Sequence, residues 1–478
     1  MSVPHASVAV EPTHPIDVND LVSFRRSFRN CLTARAEALF ELTDAVLCKN
    51  GPVTTLVGLS LVGEHRRGHG ALYDGLAAGG IDPERVRTAV AAALPPPRDD
   101  QGRIRLAVDV SNWLRPDAPT SDDRCFCHVY PRGRGQAQMI PGWPYSFVAA
   151  LEAGRTSWTA LLDARRLHRD DDLTTITAEQ IRDLLHRLIR LGHHRDGDPD
   201  ILIVFDAGYD IVRLAHLLAD LPVELLGRVR SDRVFYFPVT TPARTGRPPK
   251  HGAVFALKTP GTHPAPTTET ITGTTHYGNA RARAWLHLHP KLTSVGAWAD
   301  HAGDLPIIAG GLIELTVEHL PGDRAPKPIW MWHSHPARTT TDIDRLWHAY
   351  LRRFDLEHTF RFLKQTLGWT RPQFRTADQA DRWTWLILAA YTQLRLARGL
   401  TTDLRHPWEK PVTDPHRLTP ARIRRGFRNI HPKAQVTTST PKPSRPGPGR
   451  PKGSTNKRIA ARHDVGKPPA TETPTTPS

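Results

Sequence analysis

The chain has 478 residues, a formal charge of +16 and four cysteines. That length allows about two to four domains with ordinary apolar cores, and so few cysteines imply no disulfide framework. No apolar run approaches the roughly 18 residues of a membrane span, and the N-terminus lacks a basic-then-apolar signal pattern, so a cytoplasmic protein with no membrane partner is expected. The positive excess attracts polyanions, chiefly nucleic acid or an anionic membrane, through the release of bound counterions. It is concentrated in residues 401–478, where 16 Lys/Arg face 5 Asp/Glu.

Residues 1–100 read as helical, and the sequence suits a compact DNA-binding head and a plain helical bundle equally. Phe24 to Val46 forms one long amphipathic stretch that Gly51-Pro52 stops. Asp82-Pro83-Glu84 supplies an N-cap, a first-turn proline and a first-turn acid for another helix. Residues 101–222 then follow a β/α pattern. Ile104 to Val110 is an apolar strand reaching Asp109, and Ser146 to Leu151 and Trp158 to Leu162 are two more strands around a turn at Gly154. Thr177-Ala178-Glu179-Gln180 reads as a capping box ahead of a helix with Ile181, Leu184, Leu185, Leu188 and Ile189 on one face. Ile201 to Phe205 is a continuous apolar run, as a strand buried on both faces requires, and Asp206 ends it. The fold class expected is α/β, with a ribonuclease-H-like core.

Residues 223–338 change texture to short alternating stretches broken by Gly, Pro and Thr, the pattern of a β-rich insertion. Residues 339–400 return to helix, at Ile343 to Leu367 and Ala377 to Arg398, with Gly399 as a stop. Residues 401–478 hold 14 of the 43 prolines and few large apolar residues; much of this basic tail is expected to be disordered.

The sharpest signal is Tyr350-x2-Arg353-x3-Glu357-x6-Lys364. At about 100° per residue these four side chains fall within a stripe about 60° wide, beside a core face of Leu356, Phe360, Leu363 and Leu367. One carboxylate flanked by an aromatic hydroxyl and two cations suits a metal-bound phosphodiester. An ordinary charged helix edge would look similar, although four specified residues at fixed spacing rarely arise by chance. Asp109 and Asp206 complete the candidate site. An ionised Asp in or closing an apolar strand is costly unless paired or bound to metal. The carboxyl ends of strands are also where open α/β sheets place ligands. Two Mg²⁺ ions about 3.5–4 Å apart could stabilise the attacking and leaving oxygens of an in-line displacement. The rivals Asp210 and Asp355 are less well placed, Asp355 lying off the stripe.

The chain resembles the DDE transposases of bacterial insertion sequences, in the branch marked by a Tyr-x2-Arg-x3-Glu-x6-Lys signature. Tyr350, Arg353, Glu357 and Lys364 match it without a gap; the first two acids fall on Asp109 in Leu106-Ala107-Val108-Asp109-Val110 and on Asp206 in Val204-Phe205-Asp206-Ala207-Gly208. The resemblance, which spans roughly Ile104 to Leu400, implies excision and insertion of a mobile element at its terminal inverted repeats. It also implies Mg²⁺ or substituting Mn²⁺ on the three acids, contacts to DNA from Tyr350, Arg353 and Lys364, homo-oligomers on double-stranded DNA, and a nucleoid-associated location. A catalytically silent, transposase-derived repressor is the alternative, and a nuclease of RNA–DNA hybrids a third reading.

Weaker signals remain. Gly246-Arg247-Pro248-Pro249-Lys250 and Gly449-Arg450-Pro451-Lys452-Gly453 resemble minor-groove hooks, with Arg247, Lys250, Arg450 and Lys452 as DNA contacts. Cys125-Phe126-Cys127-His128 lacks the ligand count and spacing of a structural zinc site.

Overall fold

A computed structural model describes residues 16–121, 123–129, 138–154, 156–240, 249–275, 277–320, 325–335 and 339–441. The N-terminal part comprises α1 (Val18–Asn30), β1 (Leu32–Ala34), α2 (Ala36–Cys48), α3 (Leu56–Ser60), α4 (His69–Ala78), β2 (Gly80–Ile81) and α5 (Pro83–Ala93). The single helix expected over Phe24 to Val46 is therefore two. Leu32–Ala34 leaves the helical path to pair with Gly80–Ile81, and Arg35 turns back through a left-handed conformation at φ +53°. Asp82 caps α5 as the sequence suggested, its carboxylate accepting from the Arg85 amide at 3.1 Å.

The next segment holds β3 (Arg105–Leu114), β4 (Cys125–Val129), β5 (Gln138–Leu151), β6 (Thr159–Arg166), α6 (Leu173–Arg190), β7 (Ile201–Phe205), α7 (Ile211–Leu217) and β8 (Val223–Val229). Helix α6 begins one turn before the expected capping box, because Asp172 is the cap that accepts the Thr175 amide; Thr177 lies inside the helix. Six further strands follow: β9 (Val234–Tyr236), β10 (Val254–Ala256), β11 (Thr268–Thr274), β12 (Gly278–Pro290), β13 (Gly310–Val317) and β14 (Ile329–His333). Helices α8 (Thr340–Arg352), α9 (Phe354–Gln365), α10 (Ala377–Leu396) and α11 (Pro420–Ile430) end the described chain.

Twelve of these strands form one mixed sheet, ordered β10–β9–β12–β13–β14–β8–β7–β3–β5–β4, with β6 also on β5 and β11 on β12. Strands β3, β7 and β8 run parallel and the other pairs antiparallel. The sequence boundary at residue 223 assigns β8 to the insertion, yet β8 pairs in parallel with β7 from Ile201↔Val223 to Phe205↔Gly227. The inserted strands continue the same sheet, since β14 hydrogen-bonds to β8.

The alternation of β3 separates two cores. Ala107 packs with α9, α10 and the N-terminal helices, while Leu106 and Val108 pack with α6 and α7 on the opposite face. Strand β7 is buried throughout, which its unbroken apolar sequence requires. A third cluster joins α8 to β12, β13 and β14.

Within the basic tail, the expectation of disorder fails at helix α11, while residues 442–478 lie outside the described residues. Ile423 and Phe427 are fully buried in the same cluster as α2 and α10, and Pro420 sits in its first turn. Its arginines are turned to internal use. Arg424 donates to the carbonyls of Val46 and Gly51 at 3.0 and 2.8 Å, Arg422 pairs with Asp403, Arg425 with Glu409, and Arg428 with Glu64. Among the described residues no helix is long and apolar enough to cross a membrane.

Candidate active site

Parallel pairing sets the first two acids side by side. The register runs Arg105↔Leu202, Leu106↔Ile203, Ala107↔Val204; continuing that offset two places brings Asp109 level with Asp206. Asp206 therefore stands just past the end of β7, and Asp109 beside it in the middle of the longer β3, on the Ala107 face.

The third element is the α8–α9 junction. The uninterrupted helix expected from Ile343 to Leu367 breaks at Arg353, whose amide reaches back only three residues to the Tyr350 carbonyl at 3.1 Å. Arg353 nonetheless keeps near-helical dihedrals of −52° and −32°. Tyr350, Arg353 and Glu357 thus remain on one side.

Arg353 is the hub. Its guanidinium is 3% exposed. Nη1 donates to Asp109 Oδ2 at 2.8 Å, and Nη2 lies 3.6 Å from Asp206 Oδ2 and 3.8 Å from Glu357 Oε1. The Tyr350 hydroxyl lies 3.4 Å from Asp206 Oδ1. All three predicted acids therefore meet one cation. Side-chain exposure rises from 22% at Asp109 through 39% at Asp206 to 54% at Glu357, so the cluster opens to solvent at its glutamate edge.

Burial pushes the Asp109 carboxyl up to about 6; Arg353 and the Val110 amide oppose that rise, while Asp206 and Glu357 add to it. Burial, then the charge of Asp206, takes Tyr350 up to about 12. Ionised together, three acids against one guanidinium leave an excess of two negative charges in a partly desolvated place. Such a donor set, carboxylate oxygens only, fits hard divalent cations. The acids' ligand atoms are not all within 4.8 Å of one another; Arg353 stands between them, and a bound ion would take over its contacts.

The remaining candidates divide. Lys364 lies over the Trp369 ring at 5.6 Å; burial lowers its pKa, opposed by nearby Cys127 and Asp109. Lys250 sits apart, 3.6 Å from Asp304 and 3.3 Å from the Leu305 carbonyl. Arg247, Arg450 and Lys452 lie outside the described residues. Asp355 pairs with Arg352 at 2.8 Å, and Asp210 caps α7 through the Arg213 amide, so both rivals have structural work. Cys125 and Cys127 are buried, their thiols directed at the carbonyls of Leu167 and Cys125.

Two features escaped the sequence. Tyr209 packs on Phe205 with ring centres 5.2 Å apart and sits, partly buried, near Asp109 and Asp206. Two clefts also meet beside Asp206, sharing Ala207 and Arg228 to Arg230, with Arg233, Lys258, Lys291 and Lys327 along their walls. Arg228 and Arg230 recur at the strand period, but the lysines come from loops separated by tens of residues. Only folding assembles them.

A mixed α/β sheet bearing two aspartates level with each other on neighbouring parallel strands, with a helix-borne glutamate alongside, is the architecture of an α/β nuclease-like protein. Residues 27–291 match the sequence model of the DDE superfamily endonucleases, more than half of the chain, and the chain belongs to this family. The match includes Asp109 and Asp206 and ends before the α8–α9 signature. No curated protein matches the chain.

Proposed function

We propose that the chain is a DDE transposase of the Tyr-x2-Arg-x3-Glu-x6-Lys branch, which cleaves DNA at the terminal inverted repeats of a mobile element and joins the ends to target DNA. The observation that carries this reading is the convergence of Asp109, Asp206 and Glu357 on the single guanidinium of Arg353. The order β6–β5–β3–β7–β8, with β3, β7 and β8 parallel, supports a ribonuclease-H-like core, and β9 to β14 its insertion. The proposed organisation is a helical DNA-binding part over 1–100, a core over 101–229 and 339–400 that takes in β8, the insertion between them, and a basic tail beyond.

Asp109, Asp206 and Glu357 would hold Mg²⁺, or Mn²⁺ in its place, and the ions would supply Lewis-acid activation of water or a 3′-hydroxyl and charge stabilisation at phosphorus. The chain's own groups do the rest. Released from the acids, the Arg353 guanidinium is placed to grip a phosphate in a two-pronged hydrogen bond. Tyr350 holds Asp206 in orientation through its hydroxyl. The duplex is received by the clefts of Arg228, Lys258, Lys291 and Lys327, which open beside Asp206. Homo-oligomers on paired element ends belong to the same proposal.

The test is cleavage of a supercoiled plasmid carrying the DNA that flanks the gene, with Mg²⁺ or Mn²⁺, by wild type and Glu357→Ala. Metal-dependent cutting at the ends, lost in the variant, supports the proposal. No cutting by wild type, or equal cutting by both, overturns it.

A further inference from the structure

A second cluster with metal-binding chemistry lies outside the site just described. Cys48 at the last turn of α2, Glu64 in the loop between α3 and α4 and His431 just beyond α11 each offer a ligand atom, and these atoms all lie within 4.8 Å of one another. Three segments distant in sequence contribute one side chain each. The donor types, a sulfur, an imidazole nitrogen and a carboxylate oxygen, are those of a borderline transition ion and unlike the all-oxygen set at Asp109.

Two further observations point to a ligand. The thiols of Cys31, Cys125 and Cys127 each face a backbone carbonyl. Among the described residues Cys48, 3% exposed, makes no such bond. The imidazole of His431 is also oriented by a carboxylate, Asp44 Oδ2 lying 3.1 Å from Nε2, as metal-binding histidines commonly are. A cleft lined by Asp44, Glu64 and His431 leads from the surface to the cluster. The cations at hand are Arg25, whose Nη2 is 3.5 Å from His431 Nε2, Arg428, which pairs with Glu64 at 3.2 and 3.3 Å, and buried Arg424, which feels the charge of Cys48 and donates to the carbonyls of Val46 and Gly51. Arg428 is 45% exposed and can yield Glu64 to an ion without being stranded.

We infer that Cys48, Glu64 and His431 form a binding site for Zn²⁺ or a similar transition ion, with a fourth position open to water from the cleft. The ion ties α2 to the segment after α11 and so pins the C-terminal region onto the N-terminal helices. Binding replaces the thiol proton of Cys48, which passes to solvent, and leaves the catalytic acids untouched.

The experiment uses the full chain, stripped with chelator and reloaded with Zn²⁺ or Co²⁺ alone. One equivalent of tightly held Zn²⁺ is expected, with a thiolate-to-cobalt charge-transfer band in the Co²⁺ form and a higher melting temperature in both. Cys48→Ala should abolish the band and lower Zn²⁺ affinity at least about 100-fold, as loss of a ligand outweighs the 10–100-fold cost of losing its support. The combined variant Asp109→Asn, Asp206→Asn, Glu357→Gln should retain both. Absence of the band in wild type, or its survival in Cys48→Ala, overturns the inference. The wild-type spectrum decides it even where the cysteine variant fails to fold.

Discussion

Two buried arginines meet acids in opposite ways. In the helical region Arg25, 1% exposed, gives Asp44 two hydrogen bonds at 2.7 and 2.9 Å and Gln393 another at 2.5 Å. Charge is matched one to one. Burial raises the Asp44 pKa, but Arg25 and His431 outweigh it and the carboxyl is lowered overall. At the sheet's carboxyl edge Arg353 faces three acids, touches one closely and the other two at 3.6 and 3.8 Å, and leaves Asp109 raised. A satisfied pair is architecture. An under-neutralised cluster that opens to solvent is a place waiting for more positive charge.

The comparison breaks first at the acids. Asp109→Ala, Asp206→Ala and Glu357→Ala should each lower plasmid cleavage at least about 10³-fold, beyond the 10²–10³ typical of a single lost electrostatic donor. DNA binding by gel shift should persist. Loss of binding together with a lowered melting temperature would make the residue structural.

The arginines come next. Arg25→Met strands a buried carboxylate and should cost about 3–5 kcal/mol in urea unfolding. Arg353→Met should also destabilise the protein in chelator, but Mg²⁺ should restore its midpoint more than it raises that of wild type. Equal responses to Mg²⁺ would erase the distinction between the two clusters.

The pH dependence of metal-free protein sharpens it further. Asp109 binds its proton more tightly folded than unfolded, so between 3.8 and about 6 the folded state holds more protons and stability falls as pH rises. Asp44 has the opposite sign: its contribution is present above the ordinary carboxylate value and is lost as pH falls through its lowered value. Asp109→Asn should therefore flatten the decline in melting temperature over that window, and an unchanged profile would contradict the assignment.

The smallest effect is expected in the basic clefts. Lys258→Ala with Lys327→Ala should reduce the slope of log affinity against log salt by about 1 for each phosphate contact removed. An unchanged slope would place DNA elsewhere.

Much of the site was legible because its signals are local. An apolar strand ending in an acid marks Asp206, period-2 alternation marks the face of Asp109, and helical spacing groups Tyr350, Arg353 and Glu357. The break at Arg353 was hidden because its dihedrals stay helical while one hydrogen bond shortens its reach. Pairing across the chain was hidden too. Nothing near Leu32 announces its partner Ile81, and β8 reads as insertion until β7 is beside it. The tail misled for a different reason: counting its charges cannot reveal that Arg422, Arg424, Arg425 and Arg428 are each engaged by acids or carbonyls of the protein itself.

The most direct test is Mn²⁺ binding to the full chain, followed by electron paramagnetic resonance without DNA; Mn²⁺ is a hard ion that a thiol site disfavours. Asp109→Asn, Asp206→Asn and Glu357→Gln should each weaken it at least about 10-fold, a difference of about 1.4 kcal/mol. Affinity unchanged in all three would mean that the carboxylates around Arg353 do not act together as a metal site.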